Sequence, residues 1–243
     1  GSALSGSQFT DNIYTGKGAG DWLDYALDIS NGANVHVARN TITGNKGVAS
    51  TDGSVSAGVL VSTFFGPGSG ATIENNYIND NSYGVFVGFD GSDTSNVTIF
   101  NNDLSGNLDG AVASTNPIID ASGNWWGITD EADVAAQTSG SVDFTPFLLT
   151  GADTDGATNG FQGDFSELFV TTLGEQTGTN GRIQEGVNLV DVAGTVNVGS
   201  GTFAESTLID KAVSIIGAGR NATYITPGST LNGFTVDGTI DGL

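Results

Sequence analysis

Three stretches of the chain read as variants of one phrase: VHVARNTITGN (35–45), TIENNYINDN (72–81) and VTIFNNDLSGN (97–107). They align without gaps. Each holds a short strand of alternating apolar residues, an Asn, an aliphatic residue two places on, and a second Asn. The first Asn falls at Asn40, Asn76 and Asn102, the second at Asn45, Asn81 and Asn107. Each phrase leads into a further strand of the same kind: GVLVST (58–63), GVFVGF (84–89) and GAVAST (110–115). The step is 26 residues from Asn76 to Asn102 and 36 from Asn40 to Asn76, where a looser turn fills 46–57. Degenerate copies flank the series: FTDN (9–12) with YALDIS (25–30) before it, and IIDASGNWWG (118–127) after it.

A period of this length made only of short strands and turns predicts a solenoid of β-coils, because one coil cannot bury its apolar face without a neighbour. Ile42, Ile78 and Leu104 then form one inward column. The Asn residues form ladders at the corners. Asn tolerates the left-handed backbone of a sharp turn, and stacked amides can hydrogen-bond along a column. Asn40, Asn45, Asn76, Asn81, Asn102 and Asn107 are therefore read as structural.

The pattern Asn-x-Ile-x-x-Asn followed by Gly-Val-x-Val resembles the right-handed parallel β-helix (pectin-lyase-like) superfamily, in its bacterial surface-protein repeat branch. The resemblance implies an all-β fold, a parallel β-solenoid with short capping helices. It carries little about activity.

The organisation implied is unusual. GNWWG (123–127) followed by EADVAAQTSGSVDFTPFL (131–148) resembles the family's closing cap, whereas GRIQEGVNLV (181–190) resembles its opening helix. In that helix Ile183, Val187 and Val190 share one face by their spacing. GTVNVGSGTF (194–203) and the strands after it resemble first coils. The expected division is 1–149 as final coils and closing cap, 150–180 as a Gly/Asp/Thr-rich linker, and 181–243 as capping helix and first coils. This is the order of a permuted or tandem-array unit. Its second piece stacks either on its own molecule or on a neighbour.

Composition narrows the partners. Of 243 residues, 27 are Asp or Glu and 6 are Lys or Arg, a formal net charge of −21. Such a polyanion cannot neutralise phosphates, so nucleic acid and anionic bilayers are poor partners, and neither nucleic-acid binding nor membrane insertion is expected. No stretch reaches the roughly 18 apolar residues of a membrane helix. With no Cys there is neither a thiolate metal site nor a cysteine nucleophile. Hydrophobic residues make up 37%, too many for a solvated coil. An acidic chain without Cys or Met suits an extracellular or cell-surface setting.

Catalytic chemistry is sparse. The one histidine, His36, alternates between Val35 and Val37 and reads as a hydrogen-bonded strand residue. Were the resemblance to extend to the superfamily's polysaccharide lyases, it would imply a calcium held by several carboxylates and a basic residue that abstracts a proton. Here only Arg39 and Lys46 lie near repeat strands of the first half, and no aligned Asp cluster accompanies them. Enzyme activity is not expected, and an active lyase or epimerase stays open only if Arg39 or Lys46 faces a carboxylate cluster in the fold. Calcium is the one candidate cofactor, at Asp153, Asp155 and Asn159, whose alternating oxygens surround a Gly turn. Asp90 and Asp93 form a weaker version. Trp22, Tyr25 and Trp126 are candidate carbohydrate contacts, with one of Trp125 and Trp126 in the core and the other over the end. Asn96 and Asn221 match the N-glycosylation pattern. The function expected is a structural or adhesive solenoid unit that joins copies of itself end to end. The alternative is a carbohydrate-binding or inactive lyase-like β-helix that grips polysaccharide.

Overall fold

The computed structural model describes residues 6–227 and 232–236. Short strands stack in parallel into three faces. Face A carries, in stacking order, Ser7–Thr10, Asn34–Ala38, Gly70–Glu74, Asn96–Phe100, Ile119–Asp120 and Val142–Asp143. Face B carries Ile13–Thr15, Thr41–Thr43 and Tyr77–Asn79, extended by single bridges at Asp103 and Trp125. Face C carries Tyr25–Ile29, Ala57–Val61, Tyr83–Val87, Gly110–Ser114 and Thr138–Ser139.

The register explains why the phrases repeat. Val37, Ile73 and Ile99 lie over one another on face A, Ile42 over Ile78 on face B, and Val59, Val85 and Val112 on face C. All eight are essentially inaccessible to solvent. Each alternate residue points inward, so burying a Val or Ile contributes roughly 1.5–3 kcal/mol per position. Helix α1 (Glu131–Ala136) follows, capped by the Asp130 side chain, which accepts from the Ala132 and Asp133 N–H groups. Its one buried residue, Val134, joins the core.

The closing strand then changes direction. Phe147–Leu148 pairs antiparallel with Glu167–Val170, and that strand begins a second parallel stack. Thr195–Val198 and Ser214–Gly217 continue its first face. Gly201–Phe203 pairs with Thr223–Ile225, and Thr207–Ile209 with Phe234–Val236. Helix α2 (Arg182–Leu189) lies over this stack, with Ile183, Gly186 and Val187 buried. A Cβ at Gly186 would sit 2.8 Å from Val196 Cγ1, so glycine permits the close approach of helix to sheet.

Two features bear on the expected division, which left open where the second piece stacks. The second stack, over its described residues, packs on its own chain through the strands Phe147–Leu148 and Glu167–Val170. The segment 150–180 is also more than a linker. Its first half runs along a corner of the first stack, and residues 167–170 are a strand of the second.

Candidate functional site

The two-residue turn between faces A and B is the most regular feature of the molecule. In the first stack the residue before the corner Asn has left-handed backbone each time: Asp11 (φ 62), Arg39 (56), Asn75 (58), Asn101 (55) and, in the longer last turn, Gly123 (70). The corner Asn is Asn12, Asn40, Asn76, Asn102 or Asn124, and these asparagines form one ladder. The Oδ1 atoms of Asn40, Asn76, Asn102 and Asn124 each accept both the backbone N–H and the Nδ2 of the Asn one coil earlier, at 2.9–3.1 Å. Nδ2 of Asn76 also donates to the carbonyls of Val37 and Glu74. Asn45, Asn81 and Asn107 form a second ladder of the same kind. These buried amides are satisfied almost throughout, so they specify coil register at little desolvation cost. Asn12 and Asn124 lie in the degenerate flanking copies and were not assigned to the ladder because their coils diverge from the phrase. The signal was there in FTDN and SGN.

Residues 159–165 lie as a strap along the outside of that corner. Asn159 Nδ2 donates to Asp11 Oδ1 at 3.3 Å. Phe161 and Asn75 exchange hydrogen bonds, with Phe161 N–H donating to the Asn75 carbonyl at 3.0 Å and Asn75 Nδ2 to the Phe161 carbonyl at 3.1 Å. Gly163 N–H donates to Asn101 Oδ1 at 2.8 Å, and Phe165 stacks on Phe100. Phe161 is fully buried, edge-on to Tyr77.

The residues expected to hold calcium lie in the loop that leads into the strap. Asp153 accepts from the Tyr77 hydroxyl (3.0 Å) and from the N–H groups of Asp155 and Gln162. Asp155 accepts from Ala157 N–H and the Thr158 hydroxyl. Burial, and the hydrogen bond to Asp153, push the Tyr77 phenol up to about 12. Asn159 reaches Asp11 instead, whose carboxyl is held down to about 2, chiefly by the hydrogen bonds from Arg39. Asn159 is thus engaged by Asp11, and among the described residues no group of three His, Cys, Asp or Glu side chains is placed to hold a metal ion. Asp93 of the weaker loop is buried, and its carboxylate accepts from Thr63 and Ser95 N–H.

The aromatic candidates separate. Trp22 is 75% exposed, Tyr25 is half-buried, and Trp126 is 2% exposed and packs edge-on to Phe144. Trp126 is thus a core residue with no face for a sugar, which corrects its reading as a contact. Its half-buried neighbour Trp125 lies against Gly151, where an added Cβ would come within 2.4 Å of the indole nitrogen. The reading of the repeats missed an exposed cluster of Phe64, Phe65 and Phe89, with centroids 4.9 and 5.3 Å apart in edge-to-face pairs. The doublet FFG (64–66) in a turn was the signal.

On the outer surface of face A, His36 Nε2 lies 2.8 Å from Glu74 Oε1, beside a shallow cleft of about 320 Å³ that includes Gln8, Thr72 and Thr98. Arg39 pairs with Asp11 and Lys46 with Asp80, one carboxylate each, both at turns. Neither cation faces a carboxylate cluster. Among the described residues, no helix is long and apolar enough to cross a membrane.

Parallel coils, inward aliphatic columns and Asn corner ladders define a β-helix protein. Residues 1–125 match the family model described as right handed beta helix region, and the chain belongs to that family. The family includes both enzymes and non-enzymes. No curated protein and no solved structure matches the chain.

Proposed function

We propose that the chain is a structural solenoid unit of an extracellular or cell-surface protein, acting as a spacer or adhesive stalk that joins further copies of itself end to end. The observation that carries this reading is the shared winding of its two stacks. In both, a face-A strand of four or five residues leads through a two-residue turn to a three-residue face-B strand and then to face C, as in Asn34–Ala38 with Thr41–Thr43 and Thr195–Val198 with Gly201–Phe203. Among the described residues, Ser7–Thr10, Ile13–Thr15 and Tyr25–Ile29 have an unpaired edge at one end. Ser214–Gly217, Thr223–Ile225 and Phe234–Val236 have one at the other. Unpaired strand edges recruit further strands.

The interiors match as well. Val213, Ile215, Ile225 and Phe234 line a hollow of about 310 Å³ at the second end, and Phe9, Ala26 and Leu27 are only half-buried at the first. Different surfaces meeting head to tail do not close on themselves and so build filaments. Sedimentation velocity over rising concentration tests this: the reading expects open-ended growth, and a single monomer boundary throughout refutes it.

Exposed Trp22 supports the second reading, a carbohydrate-binding β-helix. Retention on a glycan array that is lost in Trp22→Ala, by a protein that stays monomeric, favours it over the first.

A further inference from the structure

The place where the two stacks meet contains carboxylates that no cation neutralises one for one. Asp143 ends face A of the first stack, in register with Asp120 one coil earlier, and is 1% exposed. The segment that crosses the end of this face donates to it: Glu175 N–H to the Val142 carbonyl at 3.1 Å, and Thr177 N–H and hydroxyl to Asp143 Oδ2 at 2.6 and 2.9 Å. The other oxygen, Asp143 Oδ1, is buried without a partner. So is Oε2 of Glu185, which projects from α2, while Glu185 Oε1 accepts from Gln176 Nε2 at 2.7 Å.

The charged groups acting on this pair are Asp120 and Arg182, beside Asp143 and Glu185 themselves. The Arg182 guanidinium donates to the carbonyls of Leu173, Gly174 and Glu175, holding the crossing segment in shape. Asp143 and Glu185 thus share one guanidinium that is already committed to backbone oxygens, while Asp120 adds a further negative charge beside them. A buried oxygen atom without a donor is costly as a carboxylate and much less so in a carboxylic acid, which carries its own proton.

We propose that Asp143 and Glu185, with Asp120, form a proton-operated latch on the seam between the two stacks, closed when the pair is protonated and loosened when it is fully ionised. The seam is a contact within one chain, so the latch goes beyond the end-to-end reading and does not depend on it. Burial pushes Glu185 up to about 7, with Asp143 and Asp120 adding to the rise, against the Gln176 amide and Arg182. Burial likewise raises Asp143, against the Thr177 donors and Arg182. A group whose folded value is raised binds its proton more tightly in the closed seam than in the opened one. Its stabilisation is therefore present below the ordinary carboxylate range and is lost as pH climbs toward and through about 7.

Hydrogen exchange on the intact chain reads the latch directly. The reporters are the Glu175 amide and the Thr171 amide, which donates to Thr145 Oγ1 across the same seam. The control is the Asn102 amide in the corner ladder. After correction for intrinsic exchange, protection of the two seam amides should fall about tenfold from about pH 5 to about pH 8, one pK unit of net linkage after solvent screening, while Asn102 holds. Glu185→Gln keeps the Gln176 hydrogen bond and cannot ionise, so it should abolish most of the fall. Asp143→Asn should do the same in part. Equal seam protection at both pH values overturns the latch, as does a fall shared by Asn102, which reports general charge repulsion. A fall that persists in Glu185→Gln also overturns it.

Discussion

Phe147 and Phe169 face each other across an antiparallel pair, ring centroids 5.3 Å apart, and they join two stacks whose other strands all run parallel. Phe147 belongs to the core of the first stack, and the half-buried Phe169 packs against that core from the second. Their neighbours Leu148 and Leu168 lie in the second core. One strand reversal thus serves as the floor of one solenoid and the ceiling of the other.

Phe147→Ala should cost about 3–5 kcal/mol, the range for a large aromatic removed from a packed core. Because the lost ring packs against Phe169 of the second stack, the larger effect should be on cooperativity. Scanning calorimetry should resolve two transitions in the variant where the parent shows one. A single transition merely shifted downward would mean that the stacks are coupled elsewhere.

The Asn ladder gives a contrast between two chemically identical changes. Asn76→Ala strands the backbone N–H of Asn40 and removes the Asn76 bonds to Asn40 Nδ2 and to the carbonyls of Val37 and Glu74, of which Asn40 Nδ2 keeps the Phe9 carbonyl and Glu74 keeps the Arg39 N–H. A buried group stranded this way costs about 1–3 kcal/mol and the other lost bonds add to it, so several kcal/mol in total are expected by chemical denaturation. Asn12→Ala at the exposed end of the ladder removes only the bonds its Nδ2 donates to the Thr10 carbonyl and to Asn40 Oδ1, which keeps the Asn12 N–H, and should cost about 1 kcal/mol or less. Equal losses at both positions would contradict the ladder.

Gly160 has φ +77, and a Cβ there would lie 2.1 Å from the Asn75 carbonyl oxygen and 2.5 Å from Arg39 Cα. Both are backbone atoms that cannot move aside. Gly160→Ala should lift the strap off the corner, exposing Phe161 and making 150–166 the first site of limited proteolysis. Unchanged resistance to protease would mean that the strap adds nothing to the first stack.

The acidic loop 153–159 meets its own hydrogen-bond donors, so neither excess calcium nor EDTA should move the melting temperature. A rise with calcium would require Asp153 to release Tyr77, visible as a change in tyrosine absorbance near its titration.

The fold was legible wherever a residue's partner sits one period away. Asn40, Asn76 and Asn102 occupy equivalent places in the phrase, and the parallel register turns that equivalence into contact. Helix α2 was legible for a similar reason, since Ile183 and Val187 mark its inner face locally. The strap was not. Phe161 meets Tyr77 and Asn75 through shape and backbone donors, with no repeat linking the two stretches, and a Gly/Asp/Thr-rich run reads the same whether it is docked or solvated. Trp125 and Trp126 show the limit at single residues. Alternation requires one in and one out, but which is which depends on where the strand enters the cap.

The central claim is that one end of this molecule fits the other. If the inward positions continue in step, Phe9 of one copy follows Gly217 of the next in face A, which places Gln8 beside Ile216 on the outer surface. Neighbouring parallel strands stand about 4.8 Å apart, within the span a disulfide bridges. The chain has no cysteine of its own, so the doubly substituted variant Gln8→Cys with Ile216→Cys gives a clean readout under mild oxidation. A ladder of disulfide-linked multimers on a non-reducing gel, collapsing to one band on reduction, is the result expected. A single monomer band at every concentration would contradict end-to-end assembly in this register.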